Sequence, residues 1–224
     1  MRKYTITKMN LQTKIPIKKD SNTLIAYTSK ILLLGSCFSE NIGNQLSYYK
    51  FQSNQNPFGI LFHPKAIENL ITKAINQERY TEKDLFFNNE RWHCFDAHSN
   101  MSSVNKKELL VNLNTTLVQT KKQLEDATHI IITLGTSWVY SLIETNKIVA
   151  NCHKIPQKKF CKELMSVIKI KESLATIINA IKAINKNVSI TFTVSPVRHL
   201  KDGFIENTRS KSHLIAGIHD VINS

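Results

Sequence analysis

Glycine is scarce in this sequence. There are six in 224 residues, and none falls into the G-x-G-x-x-G spacing that cradles a dinucleotide; Gly135-Thr136 is no phosphate loop either. A nucleotide cofactor is therefore unsupported, and no cofactor is expected. Cysteine is also sparse. Cys37, Cys94, Cys152 and Cys161 form no C-x-x-C pair, which argues against a small disulfide scaffold and for reduced thiols in a cytoplasmic protein. His93, Cys94, His98, Cys152 and His153 lack the local spacing of a zinc knuckle or an H-E-x-x-H helix, so no metal site is expected. Long apolar runs are missing. "ILLL" and "IIITL" fall far short of the roughly 20 residues a membrane span needs, and "MRKYTITKMNLQTKIPIKKD" has no apolar signal segment. Acidic residues are outnumbered, 17 against 30 Lys and Arg, for a net charge of +13. The lysines are scattered, whereas a nucleic-acid footprint is concentrated on one face or motif. No nucleic-acid partner is expected, and the charge suits anionic substrates or surfaces.

What is present is ordinary for a globular chain: 42% hydrophobic and 21% charged residues. Residues 1–29 read as a polar lead-in and 30–224 as one domain. Ile31 to Leu34 is a short apolar run ended by glycine, as in a buried strand. "SENIGNQLSYY" follows, with Ile42, Leu46 and Tyr49 at helical spacing, and then "KFQSN", a second strand. Pro64 opens a helix with Ile67, Leu70, Ile71 and Ile75 on one face. Asn88-Asn89 marks a hairpin turn. Leu109, Leu113, Leu117, Thr120 and Leu124 make the clearest amphipathic stripe. "HIIITLG" is the next strong strand, and "WVYSLIETNKIVAN" a hairpin turning at Thr145-Asn146. A helix from Met165 to Asn185 turns Leu174, Ile177, Ile178 and Ile181 inward. "NVSITFTV" is a strand, and a last helix begins near Asn207. Strong strands alternating with helices predict an α/β domain with a mostly parallel sheet.

In such sheets ligands gather at the carboxyl ends of the strands. Three ends carry chemistry-bearing residues: Gly35-Ser36-Cys37, Gly135-Thr136-Ser137, and Ser195 to His199. If the strands are parallel, these clusters share one edge. Gly35 permits a tight turn. A nucleophile there sits at a helix start, whose field favours negative charge and lowers a thiol pKa. The plainer account makes Ser36 an N-cap and Cys37 a small filler; on this stretch alone it is the stronger. His199 beside Arg198, and His153, are candidate proton carriers, although structural histidines are commoner. Asp96 and His98 form either a base–orienter pair or a turn.

The wording of these segments adds a second line. "LLLGSCFSENIG" resembles the signature of the GSCFA family, with Ser39 where the family often has Ala. "NPFGILFHP", "RWHCFDAHS", "ITLGTSWVY", "VANCHKIP" and "TVSPVRHLKDGFIENTRSK" resemble further segments of it, in order. That family is similar in turn to the SGNH (GDSL-type) hydrolases. The resemblance implies a three-layer, flavodoxin-like α/β fold with small hairpin insertions and ester or acyl hydrolysis. It implies a nucleophile at Cys37 in gapless register with G-D-S, or at Ser36 after a shift of one. It implies an oxyanion site around Gly35, Asn56, Gly59 and Gly135, with Ser137 where those hydrolases carry Asn. Their D-x-x-H segment has no counterpart in "HLIAGIHDVINS", so the chain reads as short of a final strand and helix, and His199, His213 or His219 would have to replace the base.

The expected function is an SGNH-like acyl hydrolase acting on a small-molecule or polymer substrate. Ser36 or Cys37 attacks, His199 moves protons, and His153 and Arg198 lie in the binding pocket. The alternative is a non-catalytic module that binds an anionic or carbohydrate ligand through Arg198, His199, His153 and Lys154.

Overall fold

The computed structural model describes residue 16, residues 23–198 and residues 200–223. Most of the polar lead-in, and His199, therefore lie outside the described residues. In chain order the elements are β1 (Lys30–Gly35), α1 (Cys37–Tyr48), β2 (Gln52–Gln55), α2 (Pro64–Ile75), β3 (Leu85–Asn88), β4 (Arg91–Cys94) and α3 (Lys106–Asp126). There follow β5 (His129–Leu134), β6 (Trp138–Leu142), β7 (Ile148–Val149), β8 (Phe160–Leu164), α4 (Val167–Ile184), β9 (Ser189–Val194) and α5 (Phe204–Ile222).

The central sheet runs β2-β1-β5-β9, with every neighbouring pair parallel. Ile31, Leu32, Leu33 and Leu34 are all buried, so β1 is covered on both faces, as parallel sheets usually are. Side chains alternate along a strand. Leu32 and Leu34 join Ile130, Ile132, Leu109, Leu113, Leu174 and Ile177 in the main core. That places α3 and α4 on one face, with α2 packed against both. Ile31 and Leu33 point to the other face, where α1 lies along β1, β2 and β5. The fold is α/β with a mostly parallel sheet, as the alternation of strands and helices predicts, and three-layered, as the family resemblance implies.

Three local expectations shift. The buried residues of α1 are Ser39 and Gly43, while Tyr49 is exposed. This helix sits too close to the sheet for large side chains: the Ser39 hydroxyl donates to Leu34 O at 3.0 Å, and Gly43 abuts Gln55. The first hairpin turns at Asn89 and Glu90, both left-handed, because Asn88 is still paired with Arg91. The second hairpin does turn at Asn146, with φ 55°, but it gains a third strand, β8, paired antiparallel with β6. By contrast α3 buries all five residues of its predicted stripe. Among the described residues, no helix is long and apolar enough to cross a membrane.

Candidate functional site

Parallel order brings the three conspicuous strand ends together. Gly35 lies level with Thr133 on β5, and Leu134 with Val194 on β9, so residues 35–37, 135–137 and 195–198 line one edge of the sheet.

The turn after β1 is built around one glycine. Gly35 has φ 124°, and a Cβ there would run into the Thr133 carbonyl. Its amide donates to Asn56 Oδ1 at 2.8 Å. Asn56, just past β2, is itself left-handed at φ 41°, and its amide donates to Leu33 O at 2.9 Å. The ends of β1 and β2 are thus locked by one side chain. Asn56 is 8% exposed, and its Nδ2 is buried with no hydrogen-bond partner. A buried donor left unmade costs about 1–3 kcal/mol.

Ser36 and Cys37 take different positions. Ser36 is fully buried. Its hydroxyl accepts from Phe38 N at 3.3 Å as the N-cap of α1, and its own amide donates to Thr133 O at 3.0 Å. Cys37 opens the helix and is half-buried. Its amide is one of the four that helix geometry leaves without an intrahelical acceptor, and no acceptor meets it among the described residues. The 12-residue helix behind it supplies a field that favours negative charge at this point. At Cys94, on β4, burial pushes the thiol up to about 12.

The glycines beside the turn have their amides engaged. Gly59 N–H donates to Asn56 O at 2.7 Å, and Gly135 N–H to Phe62 O at 2.7 Å. Their contribution is close approach. Gly59 has φ 73° with His98 and Asn100 against it, and a Cβ on Gly135 would come 3.3 Å from Ser36 Cβ. Ser137 turns away into α5: its amide donates to Ser210 Oγ at 2.8 Å and its hydroxyl to Ser210 O at 3.0 Å.

His153 is set among Phe86, Phe95 and His93, where it hydrogen-bonds Cys94 O at 2.8 Å. Burial lowers it to about 4. It ties the 150s loop to the first hairpin, with no contact to Ser36 or Cys37 in this arrangement. Asp96 is ion-paired with Lys147 at 2.9 Å rather than with His98. Arg198 is exposed, with its guanidinium 5.9 Å from the Phe204 ring centre. His199 lies outside the described residues.

The structure adds a residue that the sequence reading passed over. Lys211, on α5, is half-buried and donates to Gly135 O at 2.6 Å. With Ser195, Arg198 and Asn207 it lines a groove of about 370 Å³ between the end of β9 and α5. Its only sequence signal was its place at the end of the segment "ENTRSK". A separate groove of about 330 Å³ lies at the opposite edge of the sheet, lined by Lys30, Gln52 and Asp126, and holds no nucleophile. No group of three or more His, Cys, Asp or Glu side chains is placed to hold a metal ion among the described residues.

The family model for the GSCFA family matches residues 30–224, which takes in every strand end described above. The chain belongs to the GSCFA family. No curated protein and no solved structure matches it. Within this GSCFA domain the family's name-giving letters, Gly35 to Phe38, fall on the turn, the cap and the first helical residues at the site edge.

Proposed function

We propose that this GSCFA protein is an acyl hydrolase, acting on an ester or related acyl group, with Cys37 as the nucleophile. The observation that carries the reading is the division of labour at the turn. Ser36 is sealed as a cap, while Cys37 stands half-exposed at the helix start with its own amide unengaged. Attack by a Cys37 thiolate on a carbonyl carbon would place the developing oxyanion near that amide. Asn56 Nδ2, the unpartnered donor at the same turn, is a second candidate for holding it. A thiol needs less activation than a serine hydroxyl at neutral pH. The similarity of the family's segments to SGNH hydrolases supports the same register, in which Cys37 takes the nucleophile's place.

Covalent trapping tests this. The intact protein is treated with iodoacetamide or a fluorophosphonate, the adducts are mapped by peptide mass spectrometry, and hydrolysis of p-nitrophenyl acetate is followed in parallel. Cys37 is expected to be alkylated faster than exposed Cys161, and Cys37→Ala to abolish hydrolysis. A fluorophosphonate adduct at Ser36, or full turnover by Cys37→Ala, would overturn the assignment.

One observation favours a second reading. Arg198 and Lys211 line the same groove, a setting suited to an anionic ligand bound without turnover. Salt-sensitive anion binding that survives Cys37→Ala, with no hydrolysis by the parent chain, would put that reading first.

A further inference from the structure

Lys211 is a half-buried lysine for which the acyl-transfer reading has so far given no use. Among the described residues no carboxylate lies within ion-pair distance of it. Its hydrogen bond goes to Gly135 O at 2.6 Å, and Gly135 lies against Ser36, the residue before Cys37. The charge it feels is that of Cys37, which favours the ammonium, while burial acts more strongly and lowers its pKa from the usual lysine range. Glu40 shares the first turn of α1 with Cys37. Other charged groups on the neighbouring elements are placed elsewhere. Arg198 sits across the groove, near Phe204. Asp202 is paired with Lys162 at 2.6 Å, Glu206 abuts Gly203, and His213 hydrogen-bonds Met165 O. The unpartnered, nine-tenths buried amide of Asn56 at the same turn independently marks this as a place built to receive a ligand atom.

We propose that Lys211 is the proton acceptor for Cys37, so that a cysteine–lysine pair performs the acyl transfer. The inference rests on the Cys37 reading above. The Lys211 amine takes the thiol proton, and the thiolate forms a C–S bond to the acyl carbon. As the C–O bond to the alcohol breaks, the ammonium returns that proton to the leaving oxygen. Water then attacks the thioester and gives a proton to the amine. The C–S bond breaks, and the departing thiolate recovers the proton from Lys211. The pair gives up one proton to the leaving alcohol and regains one from water, so it ends as it began and water is the only further reactant. A lysine is suited to this only when desolvation brings it below its ordinary range, which is the direction that burial takes Lys211.

The test separates the pair from the hydrolase reading by using two readouts on the full chain. Alkylation of Cys37 by iodoacetamide, referenced to Cys161 in the same sample, reads the thiolate. Hydrolysis of p-nitrophenyl acetate reads turnover. Lys211→Met is expected to slow Cys37 alkylation at neutral pH about tenfold and hydrolysis by at least about a hundredfold, without changing Cys161. Lys211→Arg keeps the charge but cannot accept the proton, so it is expected to restore much of the alkylation and none of the turnover. Unchanged Cys37 alkylation in Lys211→Met, in a variant that still unfolds cooperatively, overturns the proposal. If Lys211→Met does not fold, the parent chain decides: Cys37 no more reactive than Cys161 at neutral pH overturns it equally. Lys211-dependent alkylation in a chain that hydrolyses nothing upholds the pair and sinks the hydrolase.

Discussion

Ser36 and Cys37 illustrate what a sequence can and cannot specify at single positions. Either residue type suits a nucleophile, and Ser is also a good helix cap. The choice depends on where the helix begins. With α1 starting at Cys37, Ser36 must be the cap and Cys37 the first residue facing outward. Nothing in the letters fixes that boundary, because helix ends are set by one or two hydrogen bonds. Lys211 escaped notice for a related reason. A lysine in a lysine-rich chain carries no local mark, and its neighbour at Gly135 lies 76 positions away in the chain. Gly35 was legible, because a glycine ending an apolar run asks for a special backbone. Its role gives a sharp prediction at this scale. Gly35→Ala must place a Cβ against the Thr133 carbonyl and hold φ 124°, a conformation L residues rarely adopt. The substitution is expected to cost more than about 3 kcal/mol, read as a fall in the urea midpoint. A loss under about 1 kcal/mol would mean that the turn relaxes and does not hold Cys37 rigidly.

Elements were readable where packing follows periodicity. The stripe of α3 is buried residue for residue, and so are Ile67, Leu70 and Ile71 of α2. Both helices bury large side chains against the core, and a 3.6-residue repeat records that directly. α1 defeated the same reasoning because it approaches the sheet through Ser39 and Gly43, small residues that leave no apolar stripe. β8 was missed because five residues with two charged letters at the centre, "FCKEL", signal a strand only once β6 is there to pair with it. The joints between elements are also tertiary. Asn185, the C-cap of α4, directs its Nδ2 at three carbonyls around the end of α3: Leu124 O at 3.0 Å, Glu125 O at 3.0 Å and Ala127 O at 2.8 Å. Two hydrogens serve three acceptors there, so at least one bond is bifurcated. These acceptors are orphaned by the end of a 21-residue helix. Asn185→Ala is expected to lower stability by about 1–3 kcal/mol, measured by chemical unfolding. Cys37 alkylation is expected to stay unchanged, because the joint lies at the other edge of the sheet.

At the scale of the whole molecule, the parallel order β2-β1-β5-β9 brings three separated segments to one edge of the sheet. That edge was predictable from alternation alone. The way the insertions are fastened to the sheet was not, since it depends on buried histidines acting over long sequence distances. His63 caps α2 by accepting from Ala66 N at Nδ1, 3.1 Å away, while Nε2 hydrogen-bonds Val149 O at 3.0 Å on β7. His153 meets Cys94 O through Nε2 and Ser99 Oγ through Nδ1. His63 takes a neutral ring with its hydrogen on Nε2, since a proton at Nδ1 would break the bond from Ala66 N, whereas the Ser99 hydroxyl can donate to or accept from Nδ1 of His153. Desolvation accordingly lowers both to about 4 from the ordinary 6.5. A histidine whose folded pKa is depressed binds fewer protons folded than unfolded between those two values. Its stabilising contribution is whole above about pH 6.5 and disappears as the pH falls to about 4. The difference amounts to roughly 3 kcal/mol for each ring. Urea unfolding at a series of pH values from 7 to 4 should therefore show a steep loss of stability on acidification. His63→Asn keeps a good helix cap without a titrating ring. It is expected to be less stable than the parent at neutral pH, through the lost bond to Val149, and to have a visibly shallower acid slope. A variant slope identical to the parent's would mean that His63 is already protonated in the folded chain, and that its Nδ1 does not accept from Ala66 N to cap α2.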